Sequence, residues 1–213
     1  MSQKISLKDA ERRVFRTTYN DGLWDIFLAS FFLMFVIALY LSPSLGDFWS
    51  STIFLPFLTL VYLVIWLIRK YVVVPRIGVV KFGQVRKTKL AKFTVVMLIA
   101  NILALILGLV AAMSFGRVPG LIYSIIFGTM LLVGLSIAAY FLDINRLYIY
   151  GLLAGLSPPV GEWLWTHGYA THHGFPITFG TVAGILFLVG LIVFVRFLHD
   201  NPVPIDGIPS EDA

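Results

Sequence analysis

Long uncharged runs alternate with short charged segments along this chain. Six runs lack Asp, Glu, Lys and Arg, at positions 26–46, 48–68, 93–116, 118–142, 147–161 and 163–195. A helix needs about 20 apolar residues to cross a hydrocarbon core, and only the run at 147–161 is shorter than this. The pattern predicts an all-α, polytopic bundle of six transmembrane helices, at residues 23–41, 48–68, 93–115, 118–142, 147–165 and 176–195.

The composition supports this interpretation. Of 213 residues, 59% are hydrophobic and 13% are charged, about half the charged fraction of a soluble domain. The uncharged runs also lack the polar face that a helix on a soluble protein needs. We expect no cleavable signal peptide, because the segment 1–22 is polar and mixed in charge. The chain has no cysteine, which excludes disulfides and thiolate chemistry.

The positive charges predict the orientation in the membrane. With six spans, 15 of the 16 Lys and Arg residues fall on one side and only Arg117 on the other. Cytoplasmic loops are enriched in Lys and Arg, so both termini are expected in the cytoplasm and the protein in the cell membrane. All five tryptophans fall at predicted span ends, where indole rings prefer to lie: Trp24, Trp49, Trp66, Trp163 and Trp165.

Three parts follow from this topology. Residues 1–22 form a cytoplasmic segment in which Leu7, Ala10 and Val14 recur at helical spacing, which predicts an amphipathic helix lying in the inner interface. Residues 23–198 form the six-span membrane domain, which includes a basic cytoplasmic loop at 69–92. Residues 199–213 form a Pro-rich cytoplasmic tail.

The basic loop is the first candidate functional surface. Residues 72–92 carry six positive charges and no negative one, and each cation near an anionic leaflet is worth about 1 kcal/mol. The predicted lipid or partner surface consists of Arg76, Lys81, Arg86, Lys87, Lys89 and Lys92. A merely solvated loop is the alternative, and nucleic acid is not expected because no recognition motif accompanies the charges. The β-branched residues at 72–74 and 79–82 predict a short extended or hairpin element.

No ionisable residue falls near the middle of a predicted span. Asp21 and Asp25 are four positions apart and therefore share one helical face near the inner surface. Asp143 is expected to pair with the nearby Arg146 or to stay hydrated. Asn101 is the clearest polar group inside a span, and it is expected to hydrogen-bond between helices, with a substrate ligand as the alternative.

The fifth span has unusual local chemistry. Ser157 precedes Pro158 and Pro159, and it is a candidate polar residue of a pore or a packing face. The prolines predict a kink, with a hinge or a broken helix as the alternative. Small residues four apart favour close helix packing, and two such pairs are expected to bring spans five and six together, within one chain or between protomers: Gly151 with Gly155, and Gly180 with Gly184.

The outer side contains the richest polar cluster. The stretch GEWLWTHGYATHHGFP holds four candidate metal ligands, which are Glu162, His167, His172 and His173. His and carboxylate suit Zn, Cu or Ni, but the spacing matches no known signature. A hydrated, pH-sensitive outer loop is the alternative.

Four runs carry a resemblance: DGLWDIFLASFF, PRIGVVKFG, NRLYIYGLLAG and FVRFLHDNPVP. Together they resemble an uncharacterised group of prokaryotic multipass membrane proteins. The resemblance implies a location and an architecture, and it transfers no functional residue.

Three functions are compatible with these features. The first is a small scaffold, accessory or lipid-contacting membrane protein, in contact with anionic inner-leaflet lipid and forming a homo-oligomer or binding a partner membrane protein. The second is an oligomeric transporter or channel for a neutral solute. The third is a metal-dependent enzyme at the outer face. No catalytic residue and no cofactor is predicted.

Overall fold

The computed structural model describes residues 21–77, 84–114 and 118–202. Every regular element in these ranges is helical, so the all-α prediction is confirmed for them. The elements are α1 (Leu23–Leu45), α2 (Asp47–Thr52), α3 (Phe54–Ile68), a π-helical turn (Arg69–Val73), α4 (Val74–Ile77), α5 (Gln84–Met113), α6 (Gly120–Leu142), α7 (Arg146–Thr166), a 3₁₀ turn (His172–Gly174) and α8 (Phe175–Asp200).

Five helical segments are long and apolar enough to cross a membrane: Leu23–Ser44, Phe54–Ile77, Lys87–Ala111, Gly120–Leu142 and His172–Asp200. These segments indicate a multipass membrane protein. Helix α7 has 21 residues, about 31 Å of helix, but it is less apolar than the five. It continues as one helix through Pro158 and Pro159.

Four helices, α1, α6, α7 and α8, form the core. Helix α6 packs along α7, α1 packs along α8, and α7 joins the two pairs by contacting α8. Phenylalanine rings fill the interior: Phe179 stacks on Phe32 at 5.8 Å and on Phe35 at 4.9 Å between ring centroids, and Phe127 lies beside them. Such aromatic pairs add to the stabilisation that burial alone provides.

Glycines set the spacing of α6 and α7. A Cβ atom on Gly128 would collide with the backbone oxygen of Gly155, and one on Gly155 would lie 2.9 Å from the backbone oxygen of Gly128. Only hydrogen at both positions permits this approach. Gly151, also on α7, faces Leu132 and Leu135 of α6.

The second predicted glycine pair lies elsewhere. Gly180 approaches Val36 of α1, and a Cβ on Gly184 would meet nothing within 4 Å. Within the chain, the two glycine pairs therefore do not face each other.

Helices α3 and α5 lie outside this core. Helix α5 reaches α6 through its first turns, where Phe93 contacts Phe141, and none of its most apolar stretch is buried. It begins at Gln84, so the last part of the predicted basic loop is helical.

The extended element predicted at 72–74 is wrong. These residues continue α3 through the π-helical turn into α4, because the apolar side chain of Val73 is buried against Leu23 and Phe197. Residues 79–82, the N-terminal amphipathic helix and the tail beyond Pro202 lie outside the described residues.

Candidate functional site

The start of α1 is locked against α8. Gly22 has a φ of 80°, in the left-handed region that favours glycine, and a Cβ there would collide with the backbone of Gly190 and lie 2.8 Å from the Phe194 amide nitrogen. The Leu23 amide donates to Asp21 Oδ1 at 3.1 Å. This close packing leaves Asp21 and Asp25 only 0% and 1% exposed.

Two arginines from distant segments reach these carboxylates. Arg146, the first residue of α7, places Nη2 2.9 Å from Asp25 Oδ2. Arg69, which opens the π-helical turn, places Nη2 3.9 Å from Asp21 Oδ2. Tyr150, one turn after Arg146, adds its hydroxyl beside Asp25. We call Asp21, Asp25, Arg69, Arg146 and Tyr150 the buried ion-pair cluster.

The cluster combines two carboxyl groups with two arginines, and several of its polar atoms have no aligned hydrogen bond. Among the described residues, neither Asp25 oxygen has an aligned hydrogen bond, and the same is true of Arg146 Nε and Nη2 and of the Tyr150 hydroxyl. Arg146 nevertheless contacts Asp25 at 2.9 Å, and the Tyr150 hydroxyl lies beside the same carboxylate.

Burial also changes the protonation of Asp21, which precedes α1. Loss of water raises the pKa of the Asp21 carboxyl, against the opposing effects of Arg69 and of the Leu23 amide. An acid with a raised pKa keeps its proton at a pH where an exposed aspartate is ionised. The cluster therefore combines the two properties expected of a functional site near a membrane, which are buried charge and perturbed protonation.

A second ion pair attaches α5 to the core. Lys89 Nζ donates to Asp143 Oδ2 at 3.0 Å and to the Tyr140 carbonyl at 3.1 Å. Asp143 thus contacts α5, and Arg146, its predicted partner, contacts α1 instead.

These contacts divide the predicted lipid surface. Lys89 is held by the core, and Arg76 donates to the Val72 carbonyl at 2.8 Å. Lys87 and Lys92 are exposed. Lys81 and the side chain of Arg86 are outside the described part of the chain.

The other end of α7 carries the histidine loop. Glu162 is 4% exposed and its Oε2 lies 2.8 Å from His173 Nδ1. The His173 ring rests on Trp165, with centroids 4.1 Å apart. His172 and His173 both have positive φ, at 51° and 55°.

The structure brings together two of the four predicted metal ligands. His167 Nδ1 lies 2.8 Å from the Trp163 carbonyl, and His172 faces Tyr40. Within residues 21–77, 84–114 and 118–202, no group of three His, Asp or Glu side chains could hold a metal ion. The four-ligand metal site stays a prediction.

The two polar residues predicted inside spans have different surroundings. Ser157 is buried and its hydroxyl donates to the Leu153 carbonyl at 2.9 Å, so it is satisfied within α7. Asn101 is exposed on α5.

Sequence reasoning missed the arginine partners of Asp21 and Asp25. It placed the two carboxylates on one face, but nothing local connects them to Arg69 or to Arg146, which is 121 positions after Asp25. One signal was available in the sequence. The two acids and the two arginines all lie on the same predicted side of the membrane, and their numbers are equal.

Comparison with protein-family models, with curated proteins and with solved structures gives no match for this chain. The function therefore has to be argued from this geometry.

Proposed function

We propose that this chain is a six-span protein of the cell membrane, with both termini in the cytoplasm, that acts as a scaffold or accessory subunit in contact with anionic lipid. Helix α7 is the sixth span in this proposal. It is about 31 Å long, packs against α6 and α8, and has Trp163 and Trp165 near one end. Fifteen of the sixteen cations then lie on the cytoplasmic side.

The packed aromatic interior is the observation that favours a scaffold over a transporter. Between the buried ion-pair cluster and the Glu162–His173 pair, Phe32, Phe35 and Phe179 stack in direct contact. A solute path through this core would have to separate rings whose contacts stabilise the bundle. An outer-face metalloenzyme is less well supported, because Glu162 and His173 are the only predicted ligands brought together among the described residues.

The inner end of α5 has the charge expected for lipid contact. Lys87 and Lys92 are exposed in the first turns of a helix that carries no charge from Phe93 to its end. Lys70, just after α3, lies 5.2 Å from the Trp66 ring centroid, an arrangement typical of the membrane interface. Anionic headgroups fit this combination of cations and aromatic rings.

Removing one of these exposed lysines should weaken binding of anionic lipid. Because one cation near an anionic surface contributes about 1 kcal/mol, Lys87→Gln or Lys92→Gln is expected to lower the affinity for phosphatidylglycerol about fivefold. Native mass spectrometry of the detergent-solubilised protein, titrated with phosphatidylglycerol or phosphatidylcholine, measures the bound lipid.

Arg117→Gln is the matched control, since it removes one charge from the opposite side in the proposed topology. Its affinity for phosphatidylglycerol should equal that of the unmodified chain. Equal losses in all three variants, or no preference for the anionic lipid, would contradict the lipid-contacting role.

The topology can be tested separately because the chain has no cysteine. Single cysteines at Ser2→Cys and Ser210→Cys should resist a membrane-impermeant maleimide in intact cells, whereas Thr171→Cys should react. All three should react after the membrane is permeabilised. With five spans the termini would lie on opposite sides, so labelling of one terminus but not the other would refute the six-span proposal.

A further inference from the structure

Beyond Phe93, helix α5 is exposed around most of its circumference, and one face of it contains Asn101. Thr94, Leu98, Asn101, Leu105 and Gly108 follow one another at spacings of four, three, four and three residues, and all five are exposed. This 4-3-4-3 spacing is the heptad pattern that keeps one seam of a helix turned toward a partner helix. Lys89 and Phe93, through which α5 meets α6, are not part of this face.

Asn101 makes this face unlike a surface built for lipid alone. It lies nine positions into the uncharged run at 93–116, about 13 Å along the helix from Lys92. Its side chain makes no hydrogen bond to the rest of the described chain. An amide without a partner in hydrocarbon is costly, so the position favours a contact that supplies both a donor and an acceptor.

We propose that the partner is a second copy of this chain, bound through the α5 face with Asn101 at its centre. An asparagine side chain both donates and accepts, so two Asn101 residues related by a two-fold axis satisfy each other without any further polar group. A single asparagine in a heptad seam also fixes register and oligomeric state. The other four residues of the face offer no charge that would require a different partner.

The charges at the start of α5 are compatible with this pairing. Helices packed through a heptad seam cross at about 20°, and Lys87 lies about 21 Å along the axis from Asn101. The two copies of Lys87 are then about 11–12 Å apart between helix axes, beyond a screening length of about 8 Å at physiological salt. The inference rests on α5 crossing the membrane, as the proposed topology has it, and not on lipid contact.

Two leucines on α5 provide a direct test in native membranes. Leu105 and Leu103 are 64% and 55% exposed and point to nearly opposite sides of the helix. In this cysteine-free chain, oxidation should cross-link Leu105→Cys into a species of twice the monomer mass, and Leu103→Cys should remain monomeric. Equal cross-linking of both variants, no cross-linking of Leu105→Cys, or a product of another mass would overturn the proposal.

The role of Asn101 can be tested with fluorescently labelled protein in liposomes. Energy transfer between the labels measures association as the protein is diluted with lipid. Asn101→Leu should raise the dimer dissociation constant about five- to thirtyfold, the effect of removing one interhelical hydrogen bond in model spans. Thr129→Val, which removes an exposed hydroxyl from α6, should leave it unchanged. If Asn101→Leu and Thr129→Val have the same dimer dissociation constant, the pairing through Asn101 is refuted.

Adding a bulky side chain to the α5 face is a second test of the dimer, and it does not depend on monomer folding. A Cβ atom added at Gly108 or at Gly134 would meet no atom of the monomer within 4 Å. Gly108→Leu should therefore block association, and Gly134→Leu should preserve it. If the cysteine labelling supports six spans while Gly108→Leu associates normally, the topology stands and the α5 dimer is excluded.

Discussion

Arg146→Ala is expected to destabilise this protein by about 3–5 kcal/mol, because it leaves the Asp25 carboxylate buried without its ion-pair partner. Asp25 is 1% exposed and Arg146 17% exposed at the side chain, so water cannot replace the guanidinium without opening the bundle. The loss should exceed the value of the pair itself, since the cost arises from the stranded charge. Unfolding in mixed detergent micelles with increasing dodecyl sulfate, followed by circular dichroism, measures it.

Arg196 provides the matched control. It pairs with Asp200 at 3.6 Å, but the two side chains are 83% and 56% exposed, so Arg196→Ala should cost about 0–1 kcal/mol. The double variant Asp25→Asn/Arg146→Gln removes both charges and should be less destabilised than the two single changes predict together. If Arg146→Ala costs no more than Arg196→Ala, the buried ion-pair cluster does not hold the helices together.

Gly128→Ala has the second largest expected effect, a loss of about 1–3 kcal/mol in the free energy of unfolding. The added methyl group would collide with the backbone oxygen of Gly155 and lie 3.2 Å from Pro159 Cδ. Neither atom belongs to a flexible side chain, so α6 and α7 have to move apart, and the contacts along both helices weaken. The same unfolding assay in mixed micelles detects the change.

Gly134→Ala on the same helix isolates the steric effect. Its methyl group would meet nothing within 4 Å, and alanine is the better helix former by about 0.5–1 kcal/mol. Gly134→Ala should therefore be neutral or slightly stabilising. Equal stabilities of the two alanine variants would show that the α6–α7 contact is looser than the structure has it.

The helices were predictable because membrane spans depend on local composition. Five of the six uncharged runs are long enough to cross the bilayer as a helix, and a helix satisfies every backbone group within its own segment. The charges marked where the apolar runs end, but they did not mark where helices end. Helix α5 begins at Gln84, ahead of the predicted span, because residues 84–92 are mostly good helix formers.

The candidate site was less predictable because its contacts are non-local. The pattern showed that Asp21 and Asp25 share a face. That Arg146 pairs with Asp25 and not with the nearby Asp143 depends on how α1 and α7 approach in space. The prediction at 72–74 failed for a related reason. β-Branched residues favour strands only as a weak tendency, and burial of Val73 against Leu23 and Phe197 overrides it.

The sequence positions of the buried ion-pair cluster set an order on biosynthesis. Asp25 leaves the ribosome well before Arg146, which is 121 positions later, an interval of about 6–24 s at ordinary rates of translation. During that interval α1 has neither its arginine nor α8, the helix that packs along it. The first helix of the core must therefore wait, with Asp25 unpaired, until the last two have been made. The bundle can close only as a late, nearly complete chain.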